Sequence, residues 1–419
     1  DIDSNLNFAD IAWMITATIF VLMMTPGLSF FYGGMVRSKN VISTMLQSFI
    51  AMGVISVIWV VVGFSLAFGE DVGHFIGNPG TFFMFVNVGG ATDKLLAPTI
   101  PLALYALFQM KFAIITPSLI TGSFAERVRF SGYLVFMILF CIFVYCPLAH
   151  WTWHPDGFLR QMGVLDFAGG IVVHASSGVA ALAGAIFLGR RKESGQPANI
   201  PFVLLGAAML WLGWFGFNAG SSLAANSIAV KAFLNTNTAS ATAMMTWVVF
   251  DCLRGRKPSA MGAAIGAVVG LVAITPSAGY VTVGESIFIA LVVTVICNMA
   301  VSWKNKKNSF DDALDVFPTH GVGGIVGTIM TGIFVYNATE NITYWQNLLN
   351  HIIAVVIVCG YTFIVTYALY WITDKMIPMR VSEKSEKIGL DMSQHDERYG
   401  IETNRELAEY FDHGVDTKS

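Results

Sequence analysis

The chain has 419 residues, of which 55% are hydrophobic and only 12% are charged, and its formal net charge is −3. Soluble domains carry about 25% charged residues. The low charge and a mean hydropathy of +0.64 therefore exclude a soluble globular protein. Neither a basic stripe nor an aromatic platform indicates nucleic-acid binding. The composition predicts an all-α polytopic membrane protein.

Apolar runs long enough to cross a bilayer, at about 20 residues each, recur along most of the chain. We count eleven, at approximately 10–33, 41–68, 99–123, 131–149, 166–188, 200–221, 236–253, 259–274, 283–303, 319–336 and 347–373. We therefore predict one eleven-helix membrane domain over residues 1–373. The polar residues 374–419 are predicted to form a cytosolic tail, in which Asn404 to Phe411 could make a short helix.

Basic residues are distributed unevenly between the loops. The loops after odd-numbered spans contain thirteen, namely Arg37, Lys39, Arg127, Arg129, Arg190, Arg191, Lys192, Arg254, Arg256, Lys257, Lys304, Lys306 and Lys307. The N-terminal segment and the even-numbered loops contain three, Lys94, Arg160 and Lys231. Because cytoplasmic loops collect Lys and Arg, the N-terminus is predicted outside and the C-terminus inside. The first residue is not methionine, so we expect a cleaved signal peptide or a trimmed N-terminus.

An acid and a histidine mark the start of spans five and ten. They are Asp166 and His174 in the fifth span, and Asp315 and His320 in the tenth. An ionisable group inside a membrane is costly, which indicates a functional site, although a single histidine could simply bond to a neighbouring helix. A five-helix unit has an odd number of spans, so a second copy enters the membrane from the opposite side. We predict an inverted repeat, roughly 10–188 and 200–336, followed by the last helix at 347–373.

The two histidines, one from each half, would place polar groups inside an apolar tube. A neutral imidazole offers one donor and one acceptor, so a pair could pass a small hydrogen-bonding solute or relay a proton. A metal site is disfavoured because no third ligand lies near either histidine, and no cofactor is expected. The five cysteines all lie in apolar runs and predict no disulfide framework.

Aromatic residues recur at helical spacing in three places. Phe108 and Phe112 lie four apart in span three, Trp214 and Phe217 lie in span six, and Trp153 follows span four. Such residues usually belong to the core or to the aromatic belts at the membrane interfaces. Taken alone, these positions favour a structural role.

Taken together, several long segments resemble the Amt/Mep/Rh ammonium transporter family, on its bacterial Amt side. They are Asp166–His174, Gly213–Ser221, Pro26–Gly34, Ala125-Glu-Arg127 and Asp315–Gly321, and the resemblance covers about residues 8–399. It implies eleven spans in pseudo-twofold halves and a homotrimer with one pore per subunit. It also implies a bacterial inner-membrane location and transport of ammonium as ammonia.

The resemblance also assigns roles to single residues. Those that look like the outer ammonium-binding site are Phe108, Trp153, Ser221 and Asp166, the last of which would hold the site in place. Those that look like the stacked gate are Phe112 and Phe217, and the paired pore histidines are His174 and His320. We expect the ion to lose its proton near the gate, after which ammonia passes the histidines.

Two features depart from the family pattern. Lys111, beside Phe112, stands where the family usually has a small or apolar residue. Its stem could reach a neighbouring polar group or the subunit interface, or its ammonium could lie near the pore and modulate conduction. The tail segment Gly389–His395 resembles the family's cytoplasmic tail but is followed by Asp396 instead of a glycine, and it could meet a PII-type regulator or a signalling domain.

These departures keep an alternative function open, an ammonium receptor that signals through its tail with little or no transport. An enzyme is not predicted, because the sequence contains no nucleophile–base pair, metal cluster or phosphate-binding loop.

Overall fold

The computed structural model describes residues 5–336 and 341–400, and most of these residues are helical. A helix covers each of the eleven predicted apolar runs, and we number these helices α1 to α11. The first half contains α1 (Phe8–Met35), α2 (Val41–Ile58, continuing through Trp59–Gly63 and Phe64–Phe68), α3 (Leu102–Ile120), α4 (Phe130–Phe140, continuing through Cys141–Tyr145 and Cys146–Trp153) and α5 (Gly170–Ala175 and Ser176–Leu188). The remainder contains α6 (Ile200–Ala219), α7 (Ser227–Leu253), α8 (Ala260–Ile274), α9 (Val283–Lys307), α10 (Phe317–Gly321 and Val322–Phe334) and α11 (Tyr344–Met376).

Within the described residues, eight helices are long and apolar enough to cross a membrane, namely α1 to α6, α9 and α11. Helix α8 is apolar but short. The number of spans and their orientation therefore stay predictions, whereas a helical, multi-pass membrane protein is established. The short elements include a β-hairpin between α2 and α3, made of β1 (Asp71–Val72) and β2 (Ile76–Gly77), and one helical turn between α4 and α5, Phe158–Gln161.

Several helix boundaries differ from the predicted limits. Helix α7 begins at Ser227, where the side chain of Asn226 accepts a hydrogen bond from the amide of Ala229, so Lys231 lies in a helix and not in a loop. The predicted limit at residue 236 left out this first part, in which the charged Lys231 interrupts an otherwise mostly apolar segment. Helix α4 ends at Trp153, so this tryptophan closes the helix instead of following it.

The two halves pack their helices in the same order. Helix α1 packs on α2 and α3, and α3 packs on α5; correspondingly, α6 packs on α7 and α8, and α8 packs on α10. Across the halves, α1 packs on α6, while the start of α5 packs on α10. An inverted repeat would produce this arrangement, with α5 and α10 at its centre.

The tail packs against the helices through two short elements, α12 (Glu383–Ile388) and α13 (Leu390–His395). The carboxylate of Asp391 accepts hydrogen bonds from the amides of Ile42 (3.0 Å) and Ser43 (2.7 Å), so it caps the start of α2. A side-chain oxygen stabilises a helix N-terminus because the first amides lack hydrogen-bond partners inside the helix. The predicted helix from Asn404 to Phe411 lies outside the described residues.

Candidate functional site

Asp166 caps α5 from the loop that precedes it. Its carboxylate, which is 5% exposed, accepts hydrogen bonds from the amides of Gly169, Gly170, Ile171 and Val172. Gly169 has a φ of +120°, which residues with a Cβ rarely adopt, and this turn aims the four N–H groups at one carboxylate. The helix that carries His174 is therefore anchored at its start by one acid.

Asp312 plays the corresponding part for α10. Its carboxylate accepts hydrogen bonds from the amides of Val316 (3.0 Å) and Phe317 (2.7 Å). Burial raises the pKa of Asp312 to about 6, while Lys304 acts against that rise. The predicted correspondence of Asp166 with Asp315 is wrong, because Asp315 has a φ of +58° and forms an ion pair with Lys304.

The spacing within each half could have identified this second acid. His174 follows Asp166 by eight positions, and His320 follows Asp312 by the same number. The segment from Asp315 to His320 lies next to the glycine-rich run, and it therefore indicated Asp315 as the matching acid. The equal spacing of acid and histidine in the two halves identifies Asp312 instead.

His174 and His320 face each other at the crossing of α5 and α10. Their Nδ1 atoms lie 3.1 Å apart, so one ring donates a hydrogen bond to the other, and both side chains are at most 2% exposed. Trp214 stacks on His174 with ring centroids 5.1 Å apart, a contact that sequence analysis did not assign. Within residues 5–336 and 341–400, Nε2 of His174 has no hydrogen-bond partner, which leaves one buried polar atom for a passing solute.

Small residues allow this close approach. A Cβ added at Gly178 would lie 2.1 Å from Cα of Gly321, and one added at Gly324 would lie 2.4 Å from the carbonyl oxygen of Gly170. Both helices also begin with a π-helical turn that contains the histidine. Such turns are rare and frequently mark functional sites. Glycines at the crossing thus bring the two imidazoles into contact.

Two phenylalanines separate the histidines from a cavity, which we call the outer cavity because the loop charges predict that this side faces outward. The rings of Phe112 and Phe217 stack with centroids 4.2 Å apart, and both side chains are at most 1% exposed. Phe217 lies 5.9 Å from the ring of His174. A continuous series of rings therefore runs from the cavity to the imidazole pair.

The outer cavity has a volume of about 240 Å³. Its lining mixes aromatic, polar and apolar side chains, namely Leu95, Leu96, Tyr105, Gln109, Phe112, Trp153, Pro155, Arg160, Asp166, Phe167, Ser221, Leu223 and Tyr280. Three of the four residues assigned to the outer site are among them. Phe108 is not; it packs behind the lining, edge-on to Phe112 at 4.9 Å.

Trp153 and Ser221 are held so that they present specific groups to the cavity. The Trp153 indole N–H donates to the carbonyl oxygen of Asp166 at 2.8 Å, which fixes the ring plane. The Ser221 hydroxyl donates to the carbonyl oxygen of Phe217 at 2.8 Å. Because its proton is engaged there, the serine oxygen offers lone pairs to the cavity and acts as an acceptor.

Lys111 does not line the cavity. Its side chain is half-buried, and the contact found for its ammonium is with the sulfur of Met110 at 3.8 Å, a weak acceptor. In the described part of the chain no carboxylate pairs with it. In the same part, no group of three or more His, Cys, Asp or Glu side chains is placed to hold a metal ion.

The sequence matches the model of the Ammonium Transporter Family over residues 12–399. The ammonium transporter of Bacillus subtilis is 41% identical over 94% of this chain and 98% of its own length. The crystal structure of Candida albicans Mep2 has a TM-score of 0.86 at 34% identity, covering 100% of this chain and 94% of that chain. A solved structure described as a sensor Amt protein has a TM-score of 0.85 at 30% identity, covering 92% of this chain and 98% of that chain.

Proposed function

Because the chain belongs to the ammonium transporter family, we propose that it carries ammonium across the cell membrane. The ion binds in the outer cavity and loses its proton at the stacked phenylalanines, and neutral ammonia passes the paired histidines. The observation that carries this mechanism is the unbroken ring series, in which Phe112 stacks on Phe217 at 4.2 Å and His174 meets His320 at 3.1 Å.

The outer cavity suits a small cation that donates hydrogen bonds. Phe112 and Trp153 meet almost at right angles, at 88° and 5.8 Å, and form an aromatic corner. Each ring face stabilises a cation by about 0.5–2 kcal/mol, depending on how far it is desolvated. The Ser221 oxygen accepts one ammonium N–H, which potassium cannot offer. Phe108 acts from behind, by holding the ring of Phe112.

Beyond the gate the physics favours ammonia over ammonium. Moving a small ion into a medium of low dielectric constant costs on the order of 20 kcal/mol. An amine cation with a pKa of about 10.4 needs only about 4–5 kcal/mol to lose its proton at pH 7. Loss of the proton is therefore the cheaper route through a dry tube. Ammonia then crosses neutral, and the proton crosses separately.

The imidazole pair provides a polar path for the neutral molecule. One Nδ1 donates to the other, and the free Nε2 of His174 offers a further hydrogen-bonding group. Ammonia donates and accepts hydrogen bonds, so it can replace water along these groups without a net charge.

Transport is favoured over the receptor alternative. The family description and the Bacillus subtilis relative name transport, and the relative described as a sensor is less similar, at 30% identity. Lys111 was one of the features that favoured a receptor, but it lies outside the cavity lining and does not obstruct the ring series.

We further propose that three copies assemble in the membrane, which in a bacterium is the inner membrane. The half-buried ammonium of Lys111, which no carboxylate of the described residues neutralises, supports this, since a charge at this depth costs at least about 2.5–3.5 kcal/mol when it faces lipid. An oxygen of a second subunit would accept a hydrogen bond from this ammonium.

A PII-type regulator or signalling domain would act through the tail, whose α13 is hydrogen-bonded to the start of α2.

The function is tested by currents from proteoliposomes on a solid-supported membrane. A jump in ammonium concentration is expected to give a saturating current that protein-free liposomes lack. Saturable ammonium binding without any current would refute transport and support a receptor. His174→Ala/His320→Ala addresses the mechanism, because we expect it to lose selectivity for ammonium over potassium. Retained selectivity would contradict the role of the imidazoles.

A further inference from the structure

Arg160 places a positive charge in the wall of the cavity that we assign to a cation. It lies on the helical turn Phe158–Gln161. Throughout the described part of the chain, no carboxylate pairs with its guanidinium. The other charged residue of the lining, Asp166, has its oxygens engaged by four backbone amides. Within the described residues Arg160 is therefore not ion-paired, and the negative charge of Asp166 acts on the same cavity in the opposite direction.

Tyr280 is a second lining residue that lies close enough to Arg160 to be affected by its charge. This tyrosine also lines the cavity, from the loop between α8 and α9. Burial raises the pKa of its phenol, Arg160 acts against that rise, and Asp166 adds to it. Arg160 is exposed, but it belongs to the lining, and both charges act on the same lining side chain.

We propose that Arg160 is a specificity-determining residue that lowers the affinity of the outer cavity for ammonium and opposes divalent cations more strongly. This inference rests on the proposed function, which places ammonium in the same cavity. The guanidinium carries one positive charge, which repels any cation in the cavity.

The size of the effect follows from Coulomb's law. Two unit charges about 10 Å apart at an effective dielectric constant of about 40 repel enough to weaken binding about fourfold. For a divalent cation the same geometry gives about sixteenfold. Salt screens the repulsion, since the Debye length is about 10 Å at 0.1 M ionic strength. The effect is therefore measured at low ionic strength.

The chain offers matched variants. Arg160→Met removes the charge and keeps the aliphatic length, Arg160→Gln removes the charge and keeps hydrogen-bond donors, and Arg160→Lys keeps the charge. Lys94 is exposed on the segment between α2 and α3 and lies outside the lining, although its neighbour Leu95 belongs to it. Lys94→Met therefore removes an equal charge on the same face of the molecule.

Each variant is assayed twice, for the KM of the ammonium-jump current and for the ammonium Kd from tryptophan fluorescence of the purified full chain. We expect Arg160→Met and Arg160→Gln to lower both constants about fourfold at low salt, with a smaller change at 0.5 M salt. Arg160→Lys and Lys94→Met should stay within about 1.5-fold of wild type. External Mg²⁺ should inhibit the two neutral Arg160 variants more strongly than wild type.

The proposal is overturned if both neutral variants keep or raise the wild-type Kd, or if Lys94→Met shifts it equally. A purely structural role for Arg160 would leave the Mg²⁺ inhibition and the salt dependence unchanged, and this too would overturn it. If wild type binds ammonium without current, transport is refuted while the Kd comparison still decides the role of Arg160. If wild type does not bind ammonium, both proposals are refuted.

Discussion

Gly178→Ala should separate the two helices that hold the histidines together. The new Cβ would lie 2.1 Å from both Cα and the amide nitrogen of Gly321, whereas ordinary contacts begin at 3.4 Å. The difference, 3.4 minus 2.1, requires a displacement of about 1.3 Å, because both obstructing atoms are backbone and cannot rotate away. If the two histidines separate by the same distance, their Nδ1 atoms move from 3.1 Å to about 4.4 Å apart, which is beyond hydrogen-bond range.

Overpacking of this kind costs about 1–3 kcal/mol, so we expect a lower melting temperature. Ammonium current should fall at least about tenfold, since a change of 1.4 kcal/mol in the barrier is a factor of ten. Gly321→Ala should be milder, because its Cβ meets first the side chain of Phe317 at 2.7 Å and then Cα of Gly178 at 3.2 Å.

Gly360→Ala in α11 is the matched control, because its Cβ would meet nothing within 4 Å. It should keep the wild-type current and gain up to about 1 kcal/mol of stability from helix propensity. Melting curves and ammonium-jump currents are recorded for all three variants. Wild-type current and melting in Gly178→Ala, or an equal loss in Gly360→Ala, would refute the close crossing as the basis of conduction.

Three further outcomes follow from single contacts. Ser221→Ala should raise the KM for ammonium about tenfold or more, because a hydrogen bond to a charged group contributes about 1.5–3 kcal/mol. Ser222→Ala is the control, since the hydroxyl of Ser222 donates to the carbonyl oxygen of Ala219. Equal KM changes in both variants would contradict the role of Ser221. Lys111→Met should keep the ammonium current within about twofold and its selectivity over potassium, since Lys111 does not line the cavity; a large gain in flux would instead place its charge in the pore. Burial raises the pKa of Asp391 to about 6 from 3.8, so the docked tail favours the neutral carboxyl, and docking should weaken as the pH rises from about 4 through 6. Hydrogen exchange of α13, corrected for intrinsic rates, should be faster at pH 7.5 than at pH 5, and the opposite order would contradict that sign.

Much of the fold could be predicted because membrane helices form long hydrophobic runs in the sequence. Each predicted run contains a helix, and the errors fall where polar residues sit inside a helix or apolar residues outside it. Helix α7 begins at Ser227, earlier than predicted, because Asn226 caps it and Lys231 lies inside the helix. Helix α5 begins after Asp166 because the acid is its cap. Caps depend on local backbone geometry, which hydropathy does not measure.

The site was predicted less completely, because a sequence motif identifies residues but does not show which way their side chains point. The facing of His174 and His320 is seen only once α5 and α10 cross at glycines. Phe108 and Phe112 lie four apart, yet only Phe112 lines the cavity. Arg160 was counted as a loop charge, and its place in the cavity wall required the fold.

The mechanism holds that the ion loses its charge before it crosses the ring series, so potassium, which carries no proton to lose, is excluded. The most direct measurement compares the currents that equal jumps of ammonium and potassium produce in the same proteoliposomes. We predict a saturating ammonium current and a potassium current no larger than that of protein-free liposomes. A potassium current comparable to the ammonium current would mean that the ring series passes intact cations, and it would contradict deprotonation at the gate.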